Sequence, residues 1–127
     1  MDLRITALDS PLFVGIHLFL KAGEEVLGGL VGEPINTRCI LLSHLWVGEE
    51  LRGQGWGTQL LTYFEQAALR QGFQEIQLET FDYQAPIFYE KKGYHCIERV
   101  EGQGFVRFRY AKESRDSSLA QNNKLND

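Results

Sequence analysis

Seven consecutive residues, Arg52-Gly53-Gln54-Gly55-Trp56-Gly57-Thr58, set three glycines at alternate positions just ahead of a helical pattern. Glycine lets a backbone turn tightly and approach a ligand closely. Where such a turn feeds a helix N-terminus, unpaired N–H groups and the positive end of the helix dipole meet at one point, which makes an anion site. The implied ligand carries phosphate. No Lys-Ser/Thr follows the glycines, as a P-loop requires, and the GxGxG spacing differs from the GxGxxG of dinucleotide folds. A nucleoside triphosphate is therefore a poor fit.

The elements around this turn must position it. Ile40 to Val47 is apolar on both alternate faces, which predicts a strand buried on both sides in the middle of an α/β sheet. After the turn, Leu60, Leu61, Phe64, Ala67 and Ala68 make one stripe of a 3.6-residue period, predicting a helix over 58–70 with Gly72 at its C′ position. Residues 73–81 alternate, with Ile76, Leu78 and Thr80 on one face and Glu75, Gln77 and Glu79 on the other. Strand, helix and strand in immediate order predict a crossover that leaves the two strands parallel and adjacent. A short helix over 82–92 follows, with Asp82 as its cap, Pro86 tolerable only in its first turn, and Gly93 closing it. A last hairpin joins 94–100 to 105–111. Upstream, 3–8, 12–20 and 26–31 read as strands, and Gly28-Gly29 marks either a bulge or a place where something approaches the backbone.

With 127 residues, 43% of them hydrophobic, the chain is long enough for a core without a staple and too short for two domains. One domain is expected over residues 1–111. Residues 112–127 lack aromatics and are rich in Ser, Asn, Gln and charge, the composition of a disordered tail. Cys39 and Cys96 sit in apolar, strand-like surroundings without CxxC or Cys/His clustering, which reads as two buried thiols in a reducing compartment and no metal site. No apolar run approaches the ~20 residues of a membrane span, and Met1-Asp2-Leu3-Arg4 does not open a signal peptide. A cytoplasmic location with no membrane partner is expected. A net charge of -4 argues against nucleic acid and suits a cationic substrate better.

Arg52-x-x-Gly55-x-Gly57, after an apolar strand and before a helix, resembles the pyrophosphate-binding motif (Arg/Gln-x-x-Gly-x-Gly/Ala) of the GNAT superfamily of N-acetyltransferases. Downstream, Asp82-x-x-Ala85-x-x-x-Tyr89-x-x-x-Gly93-Tyr94 is similar to that family's Asn-x-x-Ala-x-x-x-Tyr-x-x-x-Gly-Phe helix. Both motifs occur in order, separated by one helix and one strand. The resemblance implies an α/β (α+β) fold: a mixed, mostly antiparallel sheet with a splayed central parallel strand pair and two flanking helices. It implies acetyl-CoA as cosubstrate, no metal, and direct acetyl transfer to a primary amine on a small molecule or peptide. By resemblance, the pantetheine arm pairs with backbone at Leu45, Trp46 and Val47. The pyrophosphate amides map to Arg52, Gly53, Gln54, Gly55, Trp56, Gly57 and Thr58. Asp82, in the place of the family Asn, joins the cofactor-binding set. Tyr89 matches the tyrosine that protonates the leaving thiolate, which a phenol of ordinary pKa about 10 does readily at neutral pH. Its bland alternative is an aromatic packed beside Phe88.

The sequence departs from the family at two places. The two lid helices expected between the first two strands are missing, with only Asp9-Ser10-Pro11 in their place. The acceptor site is then open, covered by a second subunit, or matched to a large acceptor. The strand position that carries a base glutamate in the histone-modifying branch falls on Leu41. His44 is a candidate base because imidazole titrates near neutrality, against the alternative of a hydrogen-bonded core histidine. Ser43, expected on the opposite face, is a candidate to hold an ordered water, and Glu79 is a third option. Deprotonation through water is favoured. A non-catalytic acyl-CoA-binding or regulatory module is the rival reading, and a homodimer through the last hairpin or the exposed second strand is also expected.

Overall fold

A computed structural model describes residues 2–8 and 14–113. Seven strands form one sheet in the order β1-β2-β3-β4-β5-β7-β6. They are β1 (Leu3–Ala7), β2 (Ile16–Ala22), β3 (Glu25–Pro34), β4 (Cys39–Val47), β5 (Glu75–Phe81), β6 (His95–Glu101) and β7 (Val106–Glu113). Helix α1 (Trp56–Arg70) links β4 to β5, and α2 (Pro86–Lys91) links β5 to β6. The β4–β5 pair is parallel and every other neighbouring pair is antiparallel. This is the mixed sheet with a central parallel pair and two helices that the sequence implied.

The stripe on α1 is the reason for the core. Leu60, Leu61, Phe64, Ala67 and Ala68 are all buried, and they pack on Ile16, Leu18, Leu30, Ile40, Leu42, Ile76 and Leu78 from four adjacent strands of the sheet, β2 to β5. Phe64 lies so close to β3 that a Cβ on Gly32 would stand 2.3 Å from its ring, so only glycine fits there. Helix α2 lies on the same face: Phe88 and Tyr89 pack against this cluster, and the Tyr110 hydroxyl donates to Glu90 at 2.6 Å. Among the described residues, neither helix covers the opposite face.

That uncovered face corrects the reading of β4 as buried on both sides. In β4, Leu42 points into the core, but His44 is exposed and Trp46 is 46% exposed. A bulge explains the change. The β3–β4 register shifts between Val31 and Gly32, which pair with His44 and Leu42, leaving Ser43 as the extra residue. Beyond it the alternation changes phase, so Leu45 and Val47 pack on the helix side while His44 and Trp46 turn outward. A second register shift, in the β2–β3 ladder between Leu20 and Lys21, leaves Leu27 as the extra residue beside Gly28, so both expectations for Gly28-Gly29 hold: a bulge adjoins the pair, Leu20 approaches Gly28 and the Trp46 indole approaches Gly29.

Other expectations shift in detail. Helix α2 begins at Pro86, so Asp82 is not its cap; Asp82 sits in the turn after β5, its N–H donating to Val106 O at 2.9 Å. Pro86 at N1 already lacks the N–H that an unpaired first turn leaves free, and so it sets the helix start. Cys39 is buried but Cys96 is exposed on the edge strand β6. The sheet edges are β1 and β6, so β2 is no edge for dimerisation. Strand β7 takes in Lys112 and Glu113; the expected tail from residue 114 onward, and Asp9-Ser10-Pro11, lie outside the described residues. Residues 8–15 are all that separate β1 from β2, too few for two helices. Among the described residues no helix is long and apolar enough to cross a membrane.

Tyr110 makes a fold-level prediction. Burial and the Glu90 carboxylate push its phenol up to about 12. The neutral phenol is thus the form that folding favours. Its contribution is fully present below the unfolded value near 10 and is lost as pH climbs through about 12. Urea unfolding should show stability falling between these pH values, and less steeply in Tyr110→Phe, which at neutral pH costs about 1 kcal/mol for the lost hydrogen bond.

Candidate active site

The β4–β5 ladder ends at Leu42↔Leu78, although β5 continues against β7 as far as Phe81. The strands therefore part at the bulged residue. Between them lies a slot of about 270 Å³ lined by Leu42, Ser43, His44, Leu45, Leu78, Glu79, Thr80, Gln84, Ala85 and Tyr89. Three of the sequence candidates, Ser43, His44 and Tyr89, thus meet at one cavity. Thr80 is buried, and its hydroxyl donates to Gln84 Oε1 at 3.2 Å. The same oxygen accepts the Phe81 N–H at 3.1 Å. Gln84, which sequence reasoning missed, thereby fixes the turn at the slot's rim, while α2 itself has no side-chain cap.

On the helix side the slot continues into a groove of about 630 Å³. Its lining includes Leu45, Val47, Arg52, Gly53, Gly55, Trp56, Gly57, Thr58, Ala85, Phe88 and Tyr89. Most of the predicted cofactor-binding residues border it. Gln54 and Asp82 are not among the lining residues, and Trp46 turns its side chain to the other face. Gly53 and Gly55 take φ of 78° and 89°, the left-handed region that favours glycine. A Cβ at either would meet nothing within 4 Å, so open space lies in front of them. Gly55 is the N-cap of α1, with no side-chain cap and no acidic residue in the first turn. The orphan N–H groups and the dipole of this helix thus face the groove without a side-chain cap among the described residues. The Arg52 guanidinium folds back and donates from Nε to Val47 O at 3.1 Å, bracing the loop against the end of β4. Residues and space both fit a diphosphate.

The proton-transfer groups have defined settings. The Tyr89 ring is held edge-on by Phe88 and Tyr94, with centroids at 5.1 Å and 5.8 Å. Burial pushes its phenol upward, so it stays protonated at neutral pH. The Ser43 hydroxyl donates to Val31 O at 3.1 Å, which commits its proton. His44 Nδ1 lies 3.3 Å from Ser43 Oγ, so it must be the donor of that contact. The proton then sits on Nδ1, and Nε2 keeps its lone pair. An exposed imidazole fixed in this tautomer is able to accept a proton. Ser43 and His44 are thus joined by a side-chain contact at the bulge, which the expected opposite faces would not allow.

On the uncovered face, a hollow of about 500 Å³ is lined by Leu41, Leu42, Ser43, Glu79, Phe81, Gln84 and Arg109. It shares four of these residues with the slot, so the two faces communicate at Ser43 and Glu79. Glu79 accepts from Arg107 at 2.8 Å and also from Arg109, which donates to Gln77 at 3.0 Å. Both guanidiniums thus engage the Glu79 carboxylate and hold it in place at the hollow. Among the described residues no cluster of three or more His, Cys, Asp or Glu is placed to hold a metal ion.

Residues 4–94 match the model of the acetyltransferase (GNAT) family. Blasticidin-S acetyltransferase of Streptomyces morookaense is 39% identical over 102 residues, covering 77% of this chain and 74% of that protein. A 1.9 Å crystal structure of an acetyltransferase from Bacillus cereus superposes with a TM-score of 0.70 at 30% identity, over 87% of this chain and 74% of that one. A GNAT family acetyltransferase from Elizabethkingia anophelis with acetyl-CoA bound is similar in fold. Its TM-score is 0.72 at 16% identity, over 87% of this chain and 97% of that one.

Proposed function

The chain belongs to the acetyltransferase (GNAT) family, and from that premise we propose that it passes the acetyl group of acetyl-CoA directly to a primary amine in a ternary complex. The observation that carries this reading is the parted strand pair. One slot joins the glycine-loop groove on the helix side to an open hollow on the other, with Tyr89, Ser43 and His44 at the junction.

Each group then has one task. Amides from Gly53 to Thr58 and the α1 dipole hold the diphosphate. The β5-facing backbone of Leu45 to Val47, freed where the ladder ends, aligns the pantetheine arm and sets an N–H toward the thioester oxygen, where negative charge develops. When bound, acetyl-CoA supplies an activated acyl carbon. The acceptor comes from the uncovered face, and His44 Nε2 takes a proton from its ammonium, directly or through one water. As the new C–N bond forms and the C–S bond breaks, Tyr89 gives its phenolic proton to the departing sulfur, and the second proton shed by the nitrogen as it becomes an amide restores the phenol, while His44 passes its proton to solvent.

Thiol release from acetyl-CoA measured against a panel of amines tests the reading. Amine-dependent release is expected, and His44→Ala should lower kcat/KM by about 100-fold, the usual size of a lost base. Cofactor binding without amine-dependent release would overturn the proposal.

A further inference from the structure

Past the bulge, His44 and Trp46 point to the same face of β4, and Trp46 pairs with Gly29 across the ladder. The indole lies against that glycine: a Cβ on Gly29 would stand 3.2 Å from Trp46 Nε1 and 2.9 Å from Leu18 O. Any larger residue would lift the ring. Gly29 in turn pairs with Phe19 on β2, so an aromatic, a glycine and an aromatic form one row across the uncovered face. The indole nevertheless remains 46% exposed, its outer side facing the space from which the acceptor comes. Among the described residues Trp46 has no ring partner. Two residues of strand separate it from His44, roughly 7 Å at about 3.3 Å per residue.

Building on the transfer reading above, we propose that the Trp46 indole is a stacking platform for the acceptor, which is a primary amine carrying a planar ring roughly 7 Å from its nitrogen. The amine sits at His44 and the ring lies on Trp46. Offset stacking of two π faces favours a flat ring over a puckered one of equal carbon count. Gly29 is what lets the platform lie flat on the sheet.

The test compares 4-phenylbutylamine with 4-cyclohexylbutylamine, which match in chain length and carbon number but differ in ring planarity. The wild type should prefer the phenyl compound by roughly five- to tenfold in kcat/KM, the scale of one aromatic pair. Trp46→Ala should bring the ratio close to one, and Trp46→Phe should restore most of it. A second readout does not depend on turnover: with coenzyme A present, the phenyl amine should shift the Trp46 indole N–H resonance, assigned by its loss in Trp46→Phe, and the cyclohexyl amine should not. An indole shift without acetylation would sink the transfer chemistry and keep the platform. Acetylation of both amines at equal kcat/KM, or a ratio unmoved by Trp46→Ala, overturns the platform.

Discussion

Tyr89→Phe is expected to lower kcat about 100-fold while leaving acetyl-CoA affinity close to unchanged. The ring is held by Phe88 and Tyr94 through edge contacts that a phenylalanine makes equally well. The substitution therefore removes an oxygen and little packing. Burial raises the phenol's pKa, so the wild-type group stays a donor as pH rises, and the alkaline limb of the rate profile should not be its own titration. What is lost is the proton for the departing sulfur. Isothermal titration with acetyl-CoA and rapid thiol detection separate the two effects. A variant that turns over at the wild-type rate would remove Tyr89 from the chemistry.

Gly55→Val should have the opposite signature. Gly55 takes φ 89° at the N-cap of α1, where a β-branched residue is strained and its methyls fill the space facing the orphan N–H groups. Losing two charge-assisted hydrogen bonds to a phosphate predicts an acetyl-CoA Kd raised about 100-fold. Turnover at saturation should fall far less. Gly72→Ala is the control, because Gly72 also has positive φ, at 93°, but lies past the other end of α1. It should cost stability and spare affinity. Equal loss of affinity in both variants would assign the effect to strain.

How much of this was legible from the residues follows from what kind of property each feature is. The stripe on α1 and the glycine at its end are local periodicities, and the helix appears where they place it, starting two residues earlier because Trp56 and Gly57 also take helical geometry. The parallel pair follows from chain order. The bulge at Ser43 does not, because a bulge belongs to pairing between strands, and nothing in Leu41 to Val47 alone says which residue is extra. That single missed residue explains why β4 read as buried on both sides and why Ser43 and His44 were expected to point apart. Asp82 had a cap's identity without a cap's position, since Pro86 sets the helix start and Gln84 already serves the turn. The two glycines of β3 were recognised as a place of close approach, but the approaching group, a tryptophan from the next strand, is a long-range fact.

The uncovered face also ties the fold to its chemistry. With residues 8–15 alone between β1 and β2, there are too few for two lid helices, and on the proposed reading the acceptor meets the sheet at His44, Trp46 and the Glu79 hollow. Beside the hollow, Glu79 and Glu98 each pair with both Arg107 and Arg109, so two carboxylates match two guanidiniums.

Everything turns on the diphosphate, and a crystal structure of the complex with coenzyme A measures it directly. Phosphate oxygens should lie within about 3 Å of backbone nitrogens between Gly53 and Thr58, with the thiol end in the slot beside Tyr89. A cofactor seated elsewhere, or a loop whose carbonyls rather than amides face the phosphates, would contradict the site proposed for this chain.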